Sequence, residues 1–291
     1  MHATARPLDK SFSDLILAAG ILIVKWGSGW ERTPKHGQAA DDAARRFASE
    51  AWQRIRSNDW RYARYFAEAA IAADPRYADG YRMLAHAYDG AGDRTAAQDV
   101  CERGLRVAPD NSWLLEELGS LEPRAQRLPA AEAPWRKAME LRPNEPRIIK
   151  NLAWLLESQR RWREALPLLE RVRELEPGNN AFLVRLARVR VNTGALHDGE
   201  ELLRAVIVSE PSLADAHYWL AISMAGINRW DQAIEEAGLA VQLAPDDEHD
   251  RKIYDLFHAT GGKDLVIKLD DRPTDPMIDW NTGYGGPFPE P

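Results

Sequence analysis

Cysteine is all but missing from this chain of 291 residues. Cys101 stands alone, which excludes an intramolecular disulfide framework and any cysteine-built zinc site. A basic excess is missing too: 38 Lys and Arg face 45 Asp and Glu, a formal net charge of −7. A general nucleic-acid binder needs a basic surface to displace counterions, so that class is excluded. The apolar run Leu15–Val24 has only ten residues, half of the roughly 20 that a membrane-spanning helix needs. The sequence has neither a phosphate-binding glycine loop nor a nucleophile elbow. None of its seven histidines forms a metal-binding pair at helical spacing. Cys101 falls at a core column of an outer helix and reads as a buried, inert thiol. The sequence therefore reads as a non-enzyme with no catalytic residues, no metal and no cofactor.

What is present is a repeat. Pro75, Pro109, Pro143, Pro177, Pro211 and Pro245 are each 34 residues apart. Every one follows a helical pattern, as in AIAADP, LRVAPD and VQLAPD, where proline ends one element and starts the next. Other columns keep the same register. Twelve residues before the prolines stand Ala63, Ala97, Ala131, Ala165, Gly199 and Ala233, all small, so that helix backbones can approach closely. Further columns hold Ala70, Gly104, Ala138, Val172, Val206 and Ala240, and Ala51, Ala85, Gly119, Ala153, Ala187 and Ala221. Turns stand within the units as SNDW, GAGDR, SQRRW, NTGAL and INRW.

The period and these columns together resemble the tetratricopeptide repeat, a 34-residue pair of helices. The resemblance spans residues 44–247, with units beginning at Ala44, Ala78, Ser112, Pro146, Asn180 and Ala214. It implies an all-α fold: a right-handed solenoid of six repeats in which stacked neighbours bury a continuous core. It also implies that Trp60, Trp162 and Trp230, which share one column, pack between helices. Two units depart from the pattern. The first has Glu50 and Arg54 where apolar residues are expected, and the third has Pro123 inside its first helix. That helix is expected to stop near Leu121 and to lead into a longer turn. Pro134 and Pro167 fall near the starts of second helices, where a missing N–H costs little.

The ends divide from the array. Residues 1–43 form an N-terminal segment around the run 15–24. Asp9 and Asp14 spoil a basic leader and no alanine-type cleavage site follows, so the run is open between a packed helix, a weak membrane anchor and a signal segment. A cytoplasmic location is expected, with membrane association or export through residues 15–24 as the alternative. Residues 248–261 continue the repeat phase as a capping helix, with Ile253, Tyr254, Phe257 and His258 on one face, Asp246 or Asp247 capping its start and Gly261–Gly262 ending it. Residues 262–291 form an acidic tail rich in Pro and Gly, without helical periodicity, carrying Trp280, Tyr284 and Phe288.

With no chemistry to assign, binding is left. The resemblance implies a concave groove lined by the first helix of each unit. In units four to six the lining positions hold Arg147, Lys150, Asn151, Trp154, Arg185, Arg188, Tyr218 and Trp219. Four cations flanked by flat aromatics suit an acidic segment with apolar or aromatic anchors. The competing reading is a solvated helix face on which Arg188 pairs with Glu157. Some members of the family hold a C-terminal carboxylate with two lysines, two asparagines and an arginine. Only Asn151 and Arg185 match that set, with Glu116, Ser120 and Ala181 at the other places, so that role is not expected. The function expected is a protein-interaction scaffold with a protein or peptide ligand. The alternative is a membrane-tethered assembly factor for an envelope or secretion complex. The acidic, aromatic tail is itself a ligand of the type the groove suits, and it is open between a disordered segment and one that folds back over the solenoid, completing its core or occupying the groove.

Overall fold

The computed structural model describes residues 24–26, 29–31, 38–124 and 128–260. The expectations for residues 15–23 and 261–291 lie outside the described residues. A short antiparallel hairpin comes first: β1 (Val24–Trp26) pairs with β2 (Gly29–Glu31), Lys25 opposite Trp30. The rest is helical. Helices α1 (Gln38–Arg56), α2 (Trp60–Ala73), α3 (Ala78–Gly90), α4 (Arg94–Val107), α5 (Ser112–Arg124) and α6 (Glu132–Leu141) belong to one compact unit. Helices α7 (Pro146–Ser158), α8 (Trp162–Leu175), α9 (Asn180–Asn192), α10 (Leu196–Ser209), α11 (Ala214–Gly226), α12 (Trp230–Leu243) and α13 (Glu248–Thr260) belong to a second. Within each unit, every helix packs against the next one in sequence. The fold is an all-α helical repeat, as the 34-residue period predicts.

The columns read from sequence are the packing contacts. Ala63, Ala97, Ala131, Ala165 and Ala233 are fully buried, as are Ala51, Ala85, Ala153, Ala187 and Ala221. A Cβ added at Gly199 would lie 2.8 Å from the Val191 side chain, so this glycine sits where no methyl group fits. A second regularity lies in the turns. Asn58, Gly92, Arg160, Gly194 and Asn228 have φ of 57, 85, 56, 89 and 63°, one such residue two places before each second helix of repeats one, two, four, five and six. A left-handed residue reverses the chain tightly, which glycine and asparagine allow at least cost. Helix starts are held by short polar side chains: Asp59, Asp93 and Asn179 accept from the N–H groups of Tyr62, Ala96 and Phe182.

The shared tryptophan column is half-buried between repeats. The Trp60 ring lies against Gly90, where a Cβ would come within 2.5 Å of it. The Trp230 ring meets Phe257 edge-on at 5.6 Å. In repeat five Leu196 takes the same column and lies against Gly226.

Repeat three corrects one expectation. Helix α5 runs to Arg124, three residues past the expected stop at Leu121. Pro123 falls in its final turn, where a missing N–H removes a single bond before the helix ends in any case. A four-residue 3-10 turn, Leu128–Ala131, then leads into α6, which has only ten residues. Trp135 fills this shortened repeat: it is fully buried, and its indole lies against Gly119.

At the C-terminal end Asp247 caps α13, accepting from His249 N at 2.8 Å and Asp250 N at 3.2 Å. Of the face expected on that helix, Phe257 is fully buried, Ile253 and Tyr254 are half-buried, and His258 is exposed. Among the described residues, no helix is long and apolar enough to cross a membrane.

Candidate functional site

Arg147, Lys150, Asn151 and Trp154 stand at helical offsets of three, four and seven, so they share one face of α7. Lys150 and Asn151 are buried, while Arg147 and Trp154, toward the two ends of that face, are half-buried. Lys150 Nζ forms an ion pair with Glu176, the residue that ends α8.

Arg185 and Arg188, one turn apart on α9, converge on Glu157 near the end of α7. Glu157 is fully buried. Arg185 Nε donates to its two oxygens at 2.9 and 3.2 Å, and Arg185 Nη2 donates to Oε1 at 2.7 Å. Arg188 Nη2 donates to Oε2 at 2.6 Å. Arg185 Nη2 also reaches the backbone carbonyl of Lys150 at 3.3 Å, which ties α9 to α7 a second time. A carboxylate taken out of water is tolerated only when its lone pairs are filled, and here two guanidinium groups fill them. The Arg188–Glu157 pair belongs to the reading that competes with a binding groove, in which these charges meet without a ligand. The structure shows that pair and adds Arg185 to it.

Tyr218 and Trp219 on α11 form the aromatic part. Both are buried, and their rings meet edge-on at 5.2 Å. The eight residues thus fall into an Arg–Glu–Arg cluster with Lys150 beside it, an aromatic pair on α11, and Arg147, Asn151 and Trp154 along α7. Glu176 is absent from the sequence reading, and Glu157 enters it only as the partner of Arg188 in the competing reading. The signal for Glu157 was its distance in sequence from Arg185 and Arg188, 28 and 31 residues, just short of one repeat.

The first unit carries a different face on its first helices. Arg82 pairs with Asp79 at 3.0 Å and lies over the Trp113 ring at 5.4 Å. His86 Nδ1 lies 3.4 Å from Glu117. Burial lowers the His86 pKa, but the Glu117 carboxylate and its hydrogen bond outweigh that and hold it above the usual histidine value. Glu116 and Ser120 are buried beside them. On α4, burial pushes the Cys101 thiol well above its usual range.

A tetratricopeptide repeat family model matches residues 156–212, from the end of α7 through α10. Residues 156–212 are thus similar to the tetratricopeptide repeat family, and the helical repeat has the fold of solved proteins of that kind. Its solved structural neighbours agree with the fold. YrrB, described as a tetratricopeptide protein with an unusual peptide-binding site, is 19% identical, with a TM-score of 0.61 over 64% of this chain and 96% of its own. PilF of Pseudomonas aeruginosa is 16% identical, with a TM-score of 0.58 over 76% of this chain and 99% of its own. MamA from Desulfovibrio magneticus is 19% identical, with a TM-score of 0.52 over 59% and 97%. At such identities the likeness is one of fold. None of the curated proteins matches its sequence.

Proposed function

We propose that this helical-repeat protein is an interaction scaffold that binds an acidic peptide with aromatic or apolar anchors along α7, α9 and α11. The observation that carries this is the exposed edge of α7, where half-buried Arg147 and Trp154 stand on one face beside the buried Arg–Glu–Arg cluster. One carboxylate holds two guanidinium groups in fixed positions on a face that also carries Lys150 and Arg147. A guanidinium that stays partly open to water, as that of Arg147 does, can take an incoming carboxylate bidentately. Trp154, half-buried on the same face of α7, offers flat apolar area of the kind that dominates binding energy, while the Tyr218–Trp219 pair is part of the core behind it. The peptide-binding site ascribed to YrrB, which shares the fold, supports the same reading.

Arg185 and Arg188 are poor probes, because their removal strands Glu157 inside the protein. Arg147 is half-buried and stands on the same face, so Arg147→Glu is the cleaner variant. The experiment measures affinity of the full chain for a labelled peptide alternating Asp with Trp or Phe, and for its Lys analogue. The acidic peptide is expected to bind more tightly, to weaken with added salt, and to lose about tenfold, or ~1.4 kcal/mol, with Arg147→Glu. Equal affinity for the two peptides would refute the reading.

A further inference from the structure

The last turn of α1 and the first two turns of α2 carry four arginines within eleven residues: Arg54, Arg56, Arg61 and Arg64. Asp59 is the only acid between them, and Glu50 and Glu68 stand one turn outside either end of the set. The Asp59 carboxylate is already engaged, since it accepts from Tyr62 N at 3.4 Å to cap α2 and lies 3.9 Å from Arg54. Arg54, Arg56 and Arg61 are exposed, and Arg64 is half-buried. Among the described residues no carboxylate pairs with Arg56, Arg61 or Arg64. By contrast, Arg161, Arg171, Arg173 and Arg190 in the second unit each meet a carboxylate within 2.9 Å. Two of the four arginines are set in place by aromatic rings. The Arg54 guanidinium lies 5.6 Å over Tyr62 and 5.9 Å over Phe66, and that of Arg64 lies 5.2 Å over Tyr88. A guanidinium stacked on a ring keeps its in-plane N–H fork for a phosphate. Tyr62 is exposed, and its ring lies 6.4 Å from that of half-buried Tyr65, so cations and aromatics interleave on the outer face of α2.

We propose that this corner of the first repeat docks on an anionic bilayer surface, with Arg54, Arg56, Arg61 and Arg64 meeting phospholipid phosphates and Tyr62 and Tyr65 entering the headgroup layer. It is independent of the peptide-binding reading, because all of these residues belong to the other compact unit. The patch is an exposed turn, Ser57–Asn58, beside an exposed helix face, a shape that a flat surface covers well. A peptide instead gains its affinity by burying anchors in pockets. The composition agrees: tyrosine settles where apolar chains meet polar headgroups, and arginine adds attraction to anionic lipid. The chain ahead of α1 has the same mixture. Lys25 stands opposite Trp30 in the β1–β2 hairpin, with Trp26 beside it and the apolar run 15–24 leading into it. Attachment of this kind needs no crossing helix, and none of the described helices could supply one. The formal net charge of −7 sets the orientation: an anionic surface repels the acidic parts of the chain and draws its basic corner inward.

Flotation of the full chain with lipid vesicles tests the proposal. Vesicles of phosphatidylglycerol and phosphatidylcholine in equal parts are compared with vesicles of phosphatidylcholine alone. The native chain is compared with Arg56→Gln/Arg61→Gln and with Arg106→Gln/Arg163→Gln, which removes two exposed arginines elsewhere. All four positions are exposed, so both variants should keep the fold, which circular dichroism checks. The native chain is expected to bind the anionic vesicles at least about tenfold more tightly than the neutral ones, and to release them as salt is added. Losing Arg56 and Arg61 is expected to weaken that binding about thirtyfold, and losing Arg106 and Arg163 no more than about twofold. Equal binding to the two kinds of vesicle, an equal loss in both variants, or no loss in either would overturn the proposal. It is also overturned if Arg56 and Arg61 prove necessary for binding a single-stranded RNA or an acidic peptide while the anionic vesicles stay bare.

Discussion

Glu157 shows how much one side chain can control here. It is the shared acceptor of Arg185 and Arg188, and all three are largely withdrawn from water. Removing one partner of a buried ion pair costs about 3–5 kcal/mol, because the remaining charge stays desolvated. Glu157→Gln keeps the shape and deletes the charge, so its loss in urea denaturation should fall in that range. A loss of roughly 1 kcal/mol or less would mean that the two arginines find water instead. Glycines separate into two kinds at the same scale. A Cβ at Gly119 would stand 2.5 Å from the fully buried Trp135 indole, while a Cβ at Gly92 meets nothing within 4 Å. Gly119→Ala must therefore displace a tryptophan and should cost about 1–3 kcal/mol by overpacking. Gly92→Ala bears only its left-handed φ of 85° and should cost about 1–2 kcal/mol. The two are told apart by near-UV circular dichroism, which should change for Gly119→Ala alone. Arg160 fills the left-handed column that asparagine and glycine hold in repeats one, two, five and six. The turn was visible in sequence as SQRRW, but the sign of φ at an arginine was not, since that residue seldom adopts it.

At the scale of elements, the contact of α3 with α5 depends on pH through His86. Its pKa in the folded chain is raised above the ordinary 6.5 by Glu117. The folded state thus holds the proton more tightly than the unfolded chain. The resulting stabilisation is fully present below about pH 6.5 and is lost as pH rises through the folded value. The stability gap between the native chain and His86→Gln should therefore be widest in mild acid and close toward alkaline pH. A gap that grows with rising pH would contradict the assignment. The Glu117 partner was within reach of a sequence argument, being 31 residues from His86. This is the same offset that separates Glu157 from Arg188, so first-helix charges three short of a repeat apart meet twice in this chain. The irregular repeat was less legible. Pro123 suggested an earlier stop for α5, but a proline in the last turn removes little that the helix end would not lose anyway.

At the largest scale, two apolar clusters among the described residues matter most. One gathers buried residues from Ala43 to Leu121, and the other gathers them from Val184 to Phe257. In repeat arrays each element stabilises its neighbours and little beyond them. Phe257 is fully buried under the last repeat, against the edge of Trp230. Phe257→Ala should cost about 3–5 kcal/mol, with amide exchange protection lost in α12 and α13 and retained in α2 to α4. Uniform loss along the chain would show one cooperative core instead of two clusters.

The sequence by itself determined the period, the helical pairs, the small columns and the capping helix. All of these rest on local terms: prolines that stop helices, alanines that admit a neighbour, and turn residues that tolerate reversal. Such terms act over a few residues and recur every 34, so one chain displays each of them several times. Tertiary structure alone decided how the charges were spent. Four cations expected to line a groove look equivalent in sequence, yet Arg185 and Arg188 hold Glu157 and Lys150 holds Glu176. The reason is physical: an ion pair depends on distance and on exclusion of water, and both are fixed only when helices from successive repeats come together.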